Sequence, residues 1–530
     1  MNRSTMRRRR FLAASAATLA APAIAAAQGR RVLTFIPQSD LAILDPIFTA
    51  AYVTRHHGMM VFDTLYGMDS SYRIQPQMAD GHRVEDDGKT WLITLRDGLL
   101  WHDGEKVLAR DCVASVRRWG ARDSFGQTLM AVTEALDAPD DRTIRFRLKR
   151  PFPLLPAALG KPGSNVCMMM PERLASTDPF KQITEMIGSG PFRFIAKDRV
   201  PGSLIAYERN AAYVPRATGE ASFTAGPKIV HVDRVEWHVI PDASTAAAAM
   251  RTGERDWWEA PTFDLLPLLR QAGTLTIPPP DPLGYISGIR FNQTQKPFNN
   301  PALRRALLGA VSQEDYMIAV AGTDQANWRS GIGVFCPSSP MASDAGMAVL
   351  TGPRDEAAVK RAVAASGYQG ERAVVLVPSD FPSLKALGDV GVDMLQRAGI
   401  AVEPRYTDWG SMLQLLAKTG PVEDGGWSAF HTNWSGLDQF DPAVHVWIRG
   451  NGKAASRGWP DSPVLEALRQ DWLYAADDAA RQRIAADIQR QVFVDVPYIP
   501  VGQFLPRTVY QKTVTDVLNG YALFWNLRKS

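Results

Sequence analysis

The stretch Trp91–Trp119, WLITLRDGLLWHDGEKVLARDCVASVRRW, changes its hydrophobic period partway along, and that change decides how the chain is read. Trp91, Ile93 and Leu95 alternate with Leu92, Thr94 and Arg96, the period of a half-buried strand. Asp97-Gly98 is the dipeptide of a tight hairpin, Leu99 to Trp101 reads as the returning strand, and Asp103-Gly104 turns the chain again. From Ala109 the apolar positions fall at Cys112, Val113, Val116 and Trp119, which is helical spacing. Asp111 then sits in the first turn, where a carboxylate meets the positive end of the helix dipole. His102, Asp103, Glu105 and Asp111 therefore take turn and helix-start positions in a fold, and acid–base chemistry is not needed to explain them.

Other units along the chain have the same mixed character. RRVLTFIPQSDLAILDP gives a strand over Val32 to Ile36 and a loop closed by Asp45-Pro46. In VDRVEWHVIPDASTAAAAMRTGERDWWEAP a strand runs to Ile240, Asp242 to Ser244 opens an Ala-rich helix, Gly253 ends it, and Asp256 with Trp257-Trp258 continues extended. Asn300-Pro301 supplies a cap and a first-turn proline, with Leu303, Leu307, Leu308 and Val311 as a core-facing stripe. The clearest βαβ pattern is ERAVVLVPSDFPSLKALGDVGVDMLQRAGIAVEPRYTDW. Ala373 to Val377 is a buried strand, Leu384, Leu387, Val390, Met394 and Leu395 line one helix face, Gly399 stops it, and Ala401 to Tyr406 returns.

The chain has 530 residues, 45% apolar and 22% charged, enough for at least two globular domains. Residues 1–27 have the zones of an export signal: Arg7 to Arg10, a modestly apolar middle over Phe11 to Ile24, and Ala25 to Ala27 before Gln28. The run Arg8-Arg9-Arg10-Phe11-Leu12 resembles a twin-arginine signal, so the expected location is periplasmic. The formal charge of +4 includes five signal arginines, Arg3 and Arg7 to Arg10, so the mature chain sits near −1. A nucleic-acid or anionic-membrane partner thereby loses its support. Three widely spaced cysteines fit neither a disulfide framework nor a metal cage; at most one disulfide is possible, with Cys112 and Cys167 the candidate pair. GxSxG, HExxH and GxxxxGK[ST] are all absent, and Gly188-Ser189-Gly190-Pro191 lacks the lysine and helix of a phosphate cradle. His56 and His57 are adjacent, so their side chains diverge, and together they make a poor metal pair. No cofactor and no catalytic residue is expected.

With these units in place, TWLITLRDGLLWHDGEKVLARDCVASVRRW resembles the strand, turn and helix signature of the family 5 extracytoplasmic solute-binding proteins of ABC transporters, the peptide and nickel receptor family. GSGPFRF (188–194), VDRVEWHVIPDASTAAAAMRTGERD (232–256), IRFNQTQKPFNNPALRRALLGAV (289–311) and VPYIPVG (496–502) match it in the same order. Leu108 departs from the family pattern, where a Thr or Ser usually caps the helix. The resemblance implies an α/β, two-lobed periplasmic binding protein fold of the class II, cluster C type. Lobe I would take residues 28–288, with an extra subdomain inserted at about 65–187, and the return over 500–530; lobe II would take 289–499. It further implies hinge closure on a peptide or other small polar solute, delivery to permease subunits served by a separate ATPase, and a monomeric receptor. A receptor that signals without transport and a secreted hydrolase assembled only in three dimensions are the competing classes.

Interdomain clefts favour aromatic walls with a few placed polar groups. GGWSAFHTNWSGLDQFDPAVHVW is the stretch of that kind, with Trp427, Trp434 and Trp447 among Asn433, Ser435, Asp438 and Asp441. In peptide-binding members of the family this region resembles Trp-x-x-Asp, whose carboxylate meets the peptide's ammonium. Here Trp434-Ser-Gly-Leu-Asp438 is one residue longer. Asp438, Trp434, Asn433 and Trp427 are the first candidates for solute contact, followed by Tyr66, Tyr285, Asn292, Trp409 and Trp258. Each tryptophan is equally at home in a core, and Asp438 in a turn. A dipeptide or oligopeptide is the expected solute; an opine or glycan stays open, and nickel would have only His431 and His445 nearby.

Overall fold

A computed structural model describes residues 31–530, and the export-signal reading of residues 1–27 lies outside them. Two sheets organise the described chain. The first has seven strands in the order Phe192–Phe194, Leu204–Arg209, Arg234–His238, Val32–Ile36, Trp257–Trp258, Val509–Gln511 and Leu275–Thr276. Val32–Ile36 is central and parallel to both neighbours, which explains why so short a segment is mostly apolar. Phe35 packs edge-on against Trp257 at 5.1 Å and Phe524 at 5.0 Å, so the last turns of the chain complete this core.

The second sheet has six strands in the order Trp328–Arg329, Tyr498–Phe504, Tyr285–Phe291, Ala429–Ser435, Ala373–Pro378 and Val402–Thr407. It contains the expected βαβ unit: Ala373–Pro378 runs parallel to Val402–Thr407 around the helix Pro382–Arg397. All residues of Ala373–Pro378 are buried, and Leu384, Leu387, Met394 and Leu395 line the helix face against them, with Val390 half-buried at its edge. The chain passes from the first sheet to the second between Thr276 and Tyr285, and back between Phe504 and Val509.

The stretch Trp91–Trp119 belongs to a separate four-stranded sheet, ordered Ala79–Glu85, Thr90–Leu95, Thr143–Leu148, Thr133–Asp137. Trp91, Ile93 and Leu95 face inward, and the helix Ala109–Arg122 buries Cys112, Val113, Val116 and Trp119. The hairpin expected at Asp97-Gly98 does not form. Thr90–Leu95 already has Ala79–Glu85 on one edge and Thr143–Leu148 on the other, so Leu99 to Trp101 finds no free edge. Leu100 pairs instead with Lys106 across the Asp103-Gly104 turn.

Each polar residue of that stretch has a structural partner. Leu108 offers no capping oxygen, and Asp111 compensates: its Oδ2 accepts from the Leu108 backbone N–H at 2.9 Å and the Trp101 indole at 3.2 Å, its Oδ1 from the Glu172 N–H at 2.9 Å. His102 Nε2 donates to the Gly190 carbonyl at 3.1 Å, and its backbone N–H donates to the Gly188 carbonyl at 2.8 Å. Gly188 and Gly190 press so closely on the Met60–Phe62 backbone that a Cβ at either would meet a carbonyl oxygen, which is why this segment needs glycines. Asp103 pairs with Arg173 at the surface, 3.2 Å away. Cys112 and Cys167 are both buried free thiols, so the candidate disulfide is not made, and burial pushes both thiols up in pKa and keeps them neutral.

Burial lowers the His102 pKa from 6.5 to about 4. The unfolded chain binds a proton at this site below pH 6.5 while the folded chain does not, so stability is lost as pH falls from 6.5 and the loss ends near 4. His102→Gln is expected to reduce the slope of unfolding free energy against pH by up to about 1.4 kcal/mol per pH unit within that window, measured by urea unfolding at stepped pH.

Candidate functional site

The strand Ala429–Ser435 ends beside the two crossing segments, Ser435 pairing with Tyr285 and Tyr285 with Phe504, and the next turn, Gly436–Gln439, carries Asp438. The Ser435 hydroxyl accepts from the Leu437 N–H at 3.3 Å and starts the turn. Asp438 is 2% exposed and accepts from donors on the far side of the crossing. Its Oδ2 takes the Tyr52 hydroxyl at 2.7 Å; its Oδ1 takes the Ser164 N–H and the Ser164 hydroxyl, each at 2.7 Å. Tyr52 in turn accepts from the Ser435 N–H at 2.7 Å, so one phenol joins both ends of the turn. Burial, then the nearby Asp438 carboxylate, raises the Tyr52 pKa and keeps it a proton donor. The Ser164 carbonyl is held by Lys161, itself paired with Asp123 at 2.8 Å. Gly163 leaves the room required, since a Cβ there would lie 2.6 Å from Asp438 Oδ1.

Tyr52 opens a helix, Tyr52–Val61, that is buried on almost every side although it contains Arg55, His56 and His57. The two histidines diverge as adjacent helical residues must. His57 Nδ1 meets the Tyr207 hydroxyl at 2.9 Å, and burial lowers its pKa to about 3. His56 faces Glu259, Nδ1 to Oε1 3.2 Å, and its Nε2 accepts from Arg55 Nη2 at 3.0 Å. Burial lowers the His56 pKa as well, which preserves the neutral ring that this acceptor role requires. The Arg55 guanidinium lies 4.6 Å from the Tyr52 ring centre and 3.7 Å from that of Tyr521. Asp281, on the segment crossing between the sheets, feels Arg55; burial raises its pKa, while the Leu283 N–H and Arg55 pull the other way.

The candidates read from sequence separate into two groups. Asp438 and Tyr285 meet at the crossing: the Tyr285 ring lies 5.6 Å from Tyr52 and stacks on Phe504 at 5.5 Å. Asn433 and Trp434 are half-buried on opposite faces of the same strand, paired with Ser287 and Ile286; Trp434 sits edge-on to Trp447 at 6.0 Å. The others lie elsewhere. Trp427 is fully buried against Phe430 and Trp459 and donates to the Lys418 carbonyl at 3.1 Å. Asn292 follows the far end of Tyr285–Phe291, roughly 24 Å from Tyr285 at the rise of a strand, and binds the Trp427 carbonyl at 3.0 Å. Trp258 packs with Ile36, Met250 and Leu275 behind the first sheet. Tyr66 is 1% exposed and shares a hydrogen bond with His82 Nδ1 at 2.9 Å, beside the four-stranded sheet. Trp409 starts a short helix and packs on Phe381 at 5.9 Å. His431 and His445 are buried beside the second sheet, toward Tyr316 at 3.0 Å and Tyr498 at 3.0 Å, and both are held neutral by burial.

Sequence reasoning missed Tyr52, Arg55, Ser164, Asp281 and Tyr521. The one available signal was Arg55-His56-His57 inside a helix with apolar residues on all sides, since buried charge without an evident partner marks a site.

Residues 73–456, more than half of the chain, match the profile described as bacterial extracellular solute-binding proteins, family 5, middle. The chain is 35% identical over 494 residues to a "probable peptide ABC transporter periplasmic-binding protein" of Sinorhizobium fredii, covering 93% of this chain and 92% of that one. It is 26% identical over 518 residues to a glutathione-binding protein of Pectobacterium atrosepticum, covering 94% and 93%. The solved structure of the periplasmic binding protein DppA from Helicobacter pylori, in complex with the peptide STSA, superposes with a TM-score of 0.77 at 19% identity. That superposition covers 94% of this chain and 98% of that one, and the fold it shares is the two-lobed one.

Proposed function

The chain belongs to the family 5 bacterial extracellular solute-binding proteins, the extracytoplasmic receptors of ABC importers, and from that premise we propose that its solute is a short peptide or a peptide-like amino-acid conjugate. The observation that carries this reading is the polar cluster at the crossing, where Tyr52 and Ser164 from one side hold Asp438 from the other and the Tyr285 ring packs on that of Tyr52. Hydrogen-bond donors and acceptors flanked by aromatic faces suit a solute with amide and charged groups. The 35% identical relative described as a peptide receptor supports the same class.

In this reading lobe I is built on the first sheet and lobe II on the second, with the inserted subdomain attached to lobe I. Solute binding closes the lobes about the segments 276–285 and 504–509. The closed face is then presented to permease subunits in the periplasm, with ATP hydrolysis left to a separate subunit and no reaction on the solute itself. The receptor works as a monomer.

The test is thermal unfolding of protein that has been denatured, dialysed and refolded to strip resident solute, against dipeptides, tripeptides, glutathione, sugars and nickel. At about a thousand times its dissociation constant a peptide of the right class raises stability by roughly 4 kcal/mol. A midpoint raised by a sugar or by nickel, and by no peptide, overturns the peptide reading.

A further inference from the structure

The segment from Arg150 to Ser164 follows the strand Thr143–Leu148 of the four-stranded sheet, and each of its ends touches a part of the chain that belongs with the second sheet. At one end Ser164 meets Asp438. At the other the Arg150 guanidinium lies 3.6 Å from the centre of the Tyr474 ring, and its Nη2 donates to Gln470 Oε1 at 3.4 Å. Phe152, fully buried, stands edge-on to the same ring at 6.0 Å and is backed by Phe125 at 6.3 Å. The hairpin of Tyr66–Met68 and Ile74–Pro76 adds another contact, because its tip sets Tyr72 on Phe440 at 4.8 Å. Tyr72 holds a φ of 61°, which bulky residues rarely adopt, and Asp69 keeps the tip in that shape by accepting from the Ser71 and Arg73 N–H groups and the Gln75 amide.

The surfaces that meet here are each tied firmly to their own unit. Tyr474 ends the helix Pro463–Leu473, which is bound to the chain after Asp438: Arg469 Nε donates to the Pro442 carbonyl at 2.9 Å and the Gly450 N–H to Glu466 Oε1 at 2.8 Å. That helix packs on Asp478–Asp495, which leads into the second-sheet strand Tyr498–Phe504. On the opposing side the Lys149 N–H donates to the Val132 carbonyl at 2.9 Å, Lys161 pairs with Asp123 at 2.8 Å, and the Trp119 indole donates to the Asn165 carbonyl at 2.7 Å. The short helix Leu155–Gly160 separates the Arg150 contact from the cluster around Asp438.

We infer that Arg150, Phe152 and Tyr72 form a clasp by which the inserted four-stranded unit closes on Tyr474, Gln470 and Phe440, raising affinity for every solute alike without touching the solute. This rests on the reading of the chain as a receptor whose lobes close. A contact made only in the closed state raises the closed fraction, and the apparent dissociation constant falls with it by the same factor whatever the ligand. A guanidinium over a tyrosine ring together with one aromatic pair accounts for a factor of roughly 5 to 60.

The experiment is isothermal calorimetry of wild type and of the double variant Arg150→Ala, Tyr474→Leu with two chemically different probes, the dipeptide Met-Leu and glutathione, together with small-angle scattering of both proteins without ligand. The double variant is expected to bind each probe that the wild type binds more weakly by one common factor of roughly 5 to 60, with its unliganded melting midpoint within about 2 °C of wild type. Unchanged affinity together with an unchanged unliganded radius of gyration overturns the clasp and leaves the peptide reading intact. A loss confined to one of two bound probes also overturns it, since the pair would then belong to the solute site, and so does a midpoint lowered by more than about 5 °C, which makes the contact part of one unit's core. Binding of neither probe by either protein counts against the peptide reading. The radius then decides on the clasp alone, a larger one in the double variant supporting it and equal ones overturning it.

Discussion

Asp438→Ala is expected to weaken solute binding by at least about 100-fold while moving the unfolding midpoint of the unliganded protein by no more than about 2 °C. The carboxylate belongs to the turn after Ala429–Ser435 of the second sheet, and its three donors, the Tyr52 hydroxyl and the Ser164 N–H and hydroxyl, come from segments outside that sheet. In the proposed closure these bonds form only when the lobes come together, so removing them would act on the closed state and leave each lobe's own core untouched. Hydrogen bonds to a charged acceptor contribute about 1.5–3 kcal/mol each, and the loss of two such contributions already exceeds the free energy of a 100-fold change. Gly163→Ala reaches the same contact from the other side, because its Cβ would stand 2.6 Å from Asp438 Oδ1. It is expected to weaken binding in the same direction. Calorimetry with the tightest peptide found for the wild type measures both variants. A large loss of stability with unchanged affinity would assign Asp438 to the packing of lobe II instead.

Arg118→Met is expected to have the largest effect on stability, a loss of about 3–5 kcal/mol in urea unfolding at unchanged m-value. Arg118 and Asp45 meet at 2.7 Å with both side chains fully buried. The pair joins the helix Ala109–Arg122 to the loop that follows the central strand Val32–Ile36. Taking away the guanidinium leaves the Asp45 charge in the core and strips partners from the carbonyls of Thr177, Asp178 and Lys181. Asp45 keeps the N–H groups of Ile47, Phe48 and Ile183, which softens the loss without replacing the cation. Asp45→Asn in the Arg118→Met background removes the orphaned charge and should restore part of the stability, and failure to do so would mean that the lost carbonyl contacts dominate.

Elements set by local pattern were legible in the sequence. The switch from period 2 to helical spacing between Leu95 and Ala109, the Asn300-Pro301 cap, and the Ala373–Thr407 βαβ unit all depend on neighbours a few residues away. The Asp97-Gly98 hairpin was misread for the opposite reason: the edges of Thr90–Leu95 are taken by segments far along the chain, and no local signal reports that. The site divides in the same way. Asp438 stood out because its aromatic-rich stretch resembles the Trp-x-x-Asp of peptide-binding family members, but its partners Tyr52 and Ser164 lie 386 and 274 residues away. Asn292 and Tyr285 seemed neighbours on one segment; an extended strand instead sends them to opposite ends of the sheet. Trp427 and Trp258 show how little aromatic content says about solute contact, because a large ring serves a core equally well. Arg55 left only the faint mark of a charge inside an all-buried helix.

The lobes are expected to close over a solute, with Asp438 holding them closed. Small-angle X-ray scattering of stripped wild-type protein, with and without its tightest peptide, tests it most directly, with Asp438→Ala measured alongside. A smaller radius of gyration is expected for the wild type at saturating peptide, with a weaker or absent contraction in the variant at the same peptide concentration. An unchanged radius in the wild type with the peptide demonstrably bound would contradict closure as the mechanism.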